Sequence, residues 1–353
     1  DLHITDEKGR IIPSQAVMGE RIGHKSYVFT ADLPGLGYAC FYALPGKKQP
    51  AKSPLLKVTP NSLENTWWQI EFDTFSGEIR KLYDKKHKIN VLQKGNVLAC
   101  LVDQSDTWSH GYDEWRVESG RFGNATIEIL EEGPVCATLR IVQHFNHSTA
   151  EQYVSLYAEH EAIDVVLRIN WQERYTMLKL AYETAISDGE THCDIAYGVQ
   201  KRNTDGWEEP CQKWVDLTGT INKKKYGLAI LNDSKYAFDV RDSVMRMTLL
   251  RSPAYAFHDR SRHDASQPWP IMDQGWHTVR VRLIPHVDHW GEADIVRKSW
   301  EWNEPAFAHV ESPHKGTLPT SASFLSCDAK NIVLTVLKKS EEGDDIIVRG
   351  YET

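Results

Sequence analysis

Five pieces of sequence between Gln212 and His286 decide the fold: QKWVDLTG (212–219), YGLAILNDSKYAFDV (226–240), TLLRSP (248–253), DQGWH (273–277) and LIPH (283–286). Each is a short β-type segment, and turn residues separate one from the next. Trp, Arg, Asp and His gather where the segments end. That grammar suits a β-sandwich whose rim faces carbohydrate.

Outward from this run, period-2 alternation continues. Trp68, Ile70 and Phe72 alternate with Gln69, Glu71 and Asp73; Val165, Leu167, Ile169 and Trp171 oppose Arg168 and Asn170; Val279, Val281 and Leu283 oppose Arg280 and Arg282. These patterns predict half-buried antiparallel strands. Leu228–Leu231 and Ile332–Leu334 are continuous apolar runs and predict strands buried on both faces. Turn chemistry sits at Phe75-Ser76-Gly77, Glu132-Gly133-Pro134, Ser187-Asp188-Gly189, Asn203-Thr204-Asp205-Gly206 and Glu342-Gly343-Asp344. One helix is expected within Glu292–Asn303, with Ile295, Ser299 and Trp302 on one stripe and Pro305 ending it.

The fold class is therefore all-β, a large antiparallel β-sandwich flanked by parts of smaller β modules. Pro-rich stretches at 44–60 and 312–323 predict boundaries. They divide the chain into a partial small β module (1–50), a large sandwich (61–308) and the start of a terminal β module (322–353). At 353 residues the chain exceeds the roughly 250–300 over which one core keeps growing. It opens and closes on strand-like residues, which reads as a fragment of a longer protein.

A net charge of −8 argues against nucleic acid as a partner. The cluster Lys223-Lys224-Lys225 reads as a solvated hairpin tip. No apolar run reaches the ~18 residues of a membrane span. Six scattered cysteines with no C-x-x-C pair read as reduced and mostly buried, which points to the cytoplasm.

Candidate chemistry lies in three places. In DQSDTWSHG (103–111), Asp106, Trp108 and His110 share one face if the chain stays extended, offering a flat indole beside a carboxylate and an imidazole. The competing reading makes Asp106 a turn cap and Trp108 a core residue. Arg251 ends one strand while Asp273 and His277 begin the next, across the long polar loop Ala254–Met272. The three either converge at one sandwich edge or reduce to an Arg251–Asp273 ion pair stapling the loop base. His258, Asp259, His263 and Asp264 in that loop, and His286 and His289 beyond it, match no zinc spacing, so no metal is expected in this chain. No nucleophile elbow, phosphate loop or dinucleotide fingerprint is present. A glycosidase carboxylate pair cannot be picked from 49 acidic residues.

The ordered series resembles the C-terminal β region of glycoside hydrolase family 38 α-mannosidases, closest to the bacterial and cytosolic branch. FTADLPGLGY (29–38), WQIEFDTFSGEIRKLYDK (68–85), LKLAY (178–182), the five pieces quoted first, and NIVLTVLKKSEEGDDIIVRGYE (331–352) follow in the family's order. The loop 254–272 is longer than the family's short link and is expected to alter substrate access. The resemblance implies a mutarotase-like supersandwich and a parent enzyme that hydrolyses α-mannosidic bonds with retention, using zinc. It places nucleophile, acid/base and zinc ligands in an N-terminal barrel and helical segment outside this sequence. That barrel is then the partner and mannosides the ligands, with homo-oligomerisation left open. Asp106, Trp108, His110, Arg251, Asp273 and His277 become substrate-lining candidates, and no residue here becomes catalytic. Two other functions compete: a free carbohydrate-binding module reading sugars through Trp108, and a mutarotase-type epimerase.

Overall fold

Strands that bury alternate side chains account for most of the computed structural model, which describes residues 2–18, 25–46, 53–255, 264 and 266–353. They fall into two compact units, one of Asp1–Pro54, Gly133–Cys136 and Glu304–Thr353, the other of Leu55–Glu132 and Ala137–Asn303.

The larger unit is built on two antiparallel sheets. The first runs, in spatial order, Glu209–Pro210, Ala237–Arg241, Val244–Arg251, Thr176–Thr184, Ile89–Val102, Ile79–Asp84, Trp68–Phe72, Ser62–Glu64 and Lys57–Thr59; Glu118–Arg121 also pairs with Ile89–Val102. The second runs Gly123–Glu132, Cys136–Phe145, Ser148–Tyr157, Ile163–Trp171, Gly275–Val287, Lys224–Asn232, Trp214–Ile221, Ser187–Ile195 and Gly198–Arg202. One hydrophobic core joins them: Ile70, Phe72, Leu98 and Leu180 of the first sheet share it with Leu139, Val165, Leu217 and Val281 of the second. Each such buried side chain contributes roughly 1.5–3 kcal/mol.

The alternating patterns read from the sequence lie where expected. Trp68, Ile70 and Phe72 are buried while Gln69 and Glu71 are half-buried; Val165, Leu167, Ile169 and Trp171 face the core, as do Val279, Val281 and Leu283. Leu228–Leu231 is buried on both faces because the helix Ile295–Asn303 packs against its strand and the adjoining one. That helix buries Ile295, Val296 and Ser299, whereas the Trp302 ring centre lies 5.4 and 5.7 Å from the Arg280 and Arg282 guanidinium carbons. Lys223 does sit at a hairpin tip: Asn222 and Lys223 have φ of 50° and 64°, the left-handed pair that a two-residue hairpin turn requires.

In the smaller unit, Ile11–Ile12, Leu2–Thr5 and Tyr42–Pro45 form a three-stranded sheet. Ser14–Met18 pairs with Lys25–Phe29, Gly37–Ala39 with Ser321–Ser323, and Ile332–Lys339 with Ile346–Glu352. The Gln15 side chain accepts the Val135 and Cys136 backbone N–H groups at 3.1 and 3.0 Å. One expectation fails here. Ile332–Leu334 is only half-buried, in a sheet of two strands.

Candidate functional site at the Arg251 rim

Register alone brings residues distant in sequence to one edge of the larger unit. Met177 pairs with Leu101 on one side and with Arg251 on the other, so the strands Ile89–Val102, Thr176–Thr184 and Val244–Arg251 end side by side. Asp103, the next residue after Val102, donates its N–H to the Tyr175 carbonyl at 2.8 Å, and Tyr175 donates to Ser252 O at 2.7 Å. The second sheet enters the same edge at Gly275, which pairs with Trp171.

Arg251 is the hub. Its Nε donates to Asp103 Oδ2 at 3.0 Å, Nη1 to Ser109 Oγ at 2.6 Å, and Nη2 to the Asp106 carbonyl at 3.1 Å and to Ser105 Oγ. The guanidinium carbon lies 5.0 Å from the centre of the Trp115 ring, whose Nε1 donates to Asp103 Oδ1 at 3.0 Å. Ser105 Oγ also donates to Asp103 Oδ1. Asp103 is fully buried and carries the charge-assisted bonds that make its burial tolerable.

The turn 103–111 is not extended, so Asp106, Trp108 and His110 do not share a strand face. Asp106 Oδ1 accepts the Trp108 and His110 backbone N–H groups at 2.9 and 3.1 Å, and Oδ2 meets His110 Nδ1 at 2.8 Å. Burial pushes this carboxyl up, but the His110 ring and backbone bonds and the Trp108 N–H outweigh it, and its pKa ends below the usual carboxylate value. Asp106 is thus a turn cap. Trp108 is not a core residue: its side chain is 56% exposed beside the His110 ring, with centroids 6.2 Å apart.

Asp273 reaches Arg251 differently from the expected ion pair. Its Oδ2 accepts the Arg251 backbone N–H at 3.0 Å, while the guanidinium turns to Asp103. His277 Nε2 donates to the Asp273 carbonyl at 2.8 Å and so supports that residue. Thr107 Oγ1 donates to Ala254 O at 2.8 Å, tying the turn to the start of the loop 254–272. Much of that loop, with His258, Asp259 and His263, lies outside the described residues; Asp264 caps Ser266 N at 2.9 Å.

Sequence reasoning passed over Asp103, Ser105, Ser109 and Trp115. The signal was present in part: Asp103 directly follows the apolar strand, where a buried acid needs a cation. His286, weighed with His289 as a metal pair, is instead held by the buried Asp216, with Nε2 2.7 Å from Oδ2. Thr218 Oγ1 donates to the other oxygen of Asp216 at 2.6 Å. Among the described residues no three His, Cys, Asp or Glu side chains stand close enough to hold a metal ion.

This two-sheet sandwich corresponds to a C-terminal domain of glycosyl hydrolases. Residues 63–266 match the Glycosyl hydrolases family 38 C-terminal domain, and the chain belongs to that family. It is 23% identical over 305 residues to alpha-mannosidase G of Dictyostelium discoideum, covering 79% of this chain and 26% of that protein. It is 27% identical over 196 residues to mouse alpha-mannosidase 2C1, covering 52% and 17% respectively. The chain thus spans a minor part of the relatives it matches. A family 38 protein of Enterococcus faecalis shares the fold, with a TM-score of 0.78 at 18% identity over 99% of this chain and 46% of that one. Among the described residues no helix is long and apolar enough to cross a membrane.

Proposed function

We propose that this chain is the accessory β portion of an α-mannosidase and does not hydrolyse mannosides by itself. The parent enzyme cleaves α-mannosidic bonds with retention, and zinc supplies Lewis-acid chemistry in its N-terminal catalytic region. The described residues offer no fitting set of zinc ligands, so no chemical step is assigned to them. Their part is to bind and orient. The observation that carries this reading is the Arg251 hub, which fixes a turn bearing a half-exposed indole and an imidazole at one sandwich edge. An indole face covers the C–H side of a pyranose, and polar groups beside it take the hydroxyls. We place the protein in the cytoplasm, in keeping with six cysteines that form no disulfide.

The test is to supply the isolated chain with zinc and an aryl α-mannoside, alongside the full-length parent. Turnover is expected from the parent alone. Zinc-dependent turnover by this chain would overturn the proposal. The exposed Trp108 also favours a second reading, a free carbohydrate-binding module. Calorimetry with mannose and mannobiose separates the two: a saturable heat from the isolated chain, lost in Trp108→Ala, supports the module.

A further inference from the structure

A polar thread runs through the sandwich interior, away from the Arg251 rim. Gln143 Nε2 donates to the Ser76 carbonyl at 2.6 Å, in the turn that follows Trp68–Phe72. Gln143 Oε1 accepts Gln152 Nε2 at 2.6 Å, and the same Nε2 reaches Asn96 O at 3.1 Å. Gln143, Gln152 and Asn96 are each 0% exposed.

The inner end of this thread is open. Gln152 Oε1 and both Oδ1 and Nδ2 of Asn96 have no hydrogen-bond partner among the described residues. Buried amides seldom go unpaired, since their lost hydration is otherwise uncompensated. Asn96 is held in place by its backbone: it has φ of 52°, and the register of Ile89–Val102 against Thr176–Thr184 shifts between Lys94 and Val97. Asn is among the few residues that adopt this conformation readily. On the partner strand, Tyr182 lies between Ala181, which pairs with Val97, and Glu183, which pairs with Lys94; its buried hydroxyl is unpartnered too.

We propose that this bulge is a binding site for ordered internal water, anchored by the Asn96 amide and Gln152 Oε1. Donor and acceptor needs select the ligand. Two carbonyl-type oxygens call for hydrogens and the two N–H groups of Asn96 Nδ2 call for acceptors, and water supplies both kinds. A cation serves the oxygens but faces the Nδ2 donor, and an anion serves only Nδ2. The thread leads outward to the half-buried Ser76, which gives the site a polar route for exchange. Because the bulge lies in the strand that delivers Asp103 to Arg251, the water would help set the register of the rim.

A high-resolution crystal structure of the chain is expected to show ordered density within hydrogen-bond distance of the Asn96 amide and Gln152 Oε1. Magnetic relaxation dispersion of water counts long-lived internal molecules in solution. The Asn96→Gly/Gln152→Met double variant is expected to lose at least one of them. Empty density at the site, or an unchanged count in the folded variant, overturns the proposal. If the double variant does not fold, the crystal density of the unaltered chain decides.

Discussion

Arg251 and Asp103, 148 positions apart, are joined by a 3.0 Å bond from Nε to Oδ2 in which the carboxylate is fully buried. Removing one partner of such a pair strands the other charge in a poorly solvated place. Arg251→Met is expected to destabilise the chain by about 3–5 kcal/mol, read as a lowered urea midpoint at constant slope. Arg251→Lys is expected to recover little, because an ammonium cannot serve Asp103, Ser105 and Ser109 together. A loss under ~1 kcal/mol in Arg251→Met would show that the hub is not structural.

The indole at the rim calls for the opposite result. Trp108→Ala removes an exposed ring, so stability should stay within about 0.5 kcal/mol of the parent. In the full-length enzyme, kcat/KM for an aryl α-mannoside should fall roughly tenfold, or ~1.4 kcal/mol of transition-state binding. Unchanged kinetics would remove Trp108 from the substrate path.

Gly227 is predicted to be intolerant of any side chain. A Cβ there would lie 2.4 Å from His286 Cε1 and 2.6 Å from Thr218 Oγ1, both parts of the Asp216 cluster. Gly227→Ala should cost about 1–3 kcal/mol and lower the melting temperature. A neutral outcome would mean that the imidazole does not rest on this glycine.

Acid should loosen the rim turn late. The Asp106 pKa is depressed in the folded chain, so its contribution to stability is complete above the unfolded value of about 3.9 and is lost as pH falls through the folded value. Fluorescence of the Trp108 region followed down from pH 5 should hold steady until below that point. The Asp106→Asn variant should lack the transition. A transition centred above pH 5 in the parent would contradict this assignment.

Much of the fold was legible in the sequence because alternation reports which face of a strand is buried, and Trp68–Phe72 and Val279–Leu283 kept that alternation cleanly. Ile332–Leu334 misled because an apolar run records composition, while burial depends on what packs over each face of the strand. At the rim, sequence brought Arg251, Asp273 and the turn 103–111 into view but not their wiring. Asp273 and Asp103 are equally acidic on paper. Only pairing through Thr176–Thr184 decides that Asp103 meets the guanidinium and Asp273 the backbone.

The strand Gly275–Val287 stands at the centre of the second sheet yet is the last of that sheet's strands in the sequence. During synthesis, the hairpins ending at Ile163–Trp171 and those around Lys224–Asn232 must wait for it as two half-sheets. Each then presents an apolar, unpaired edge, the kind that pairs with other chains. A chain truncated before residue 275 is expected to aggregate rather than form a smaller working domain. Full pairing of the second sheet therefore has to await the emergence of residues 275–287 from the ribosome.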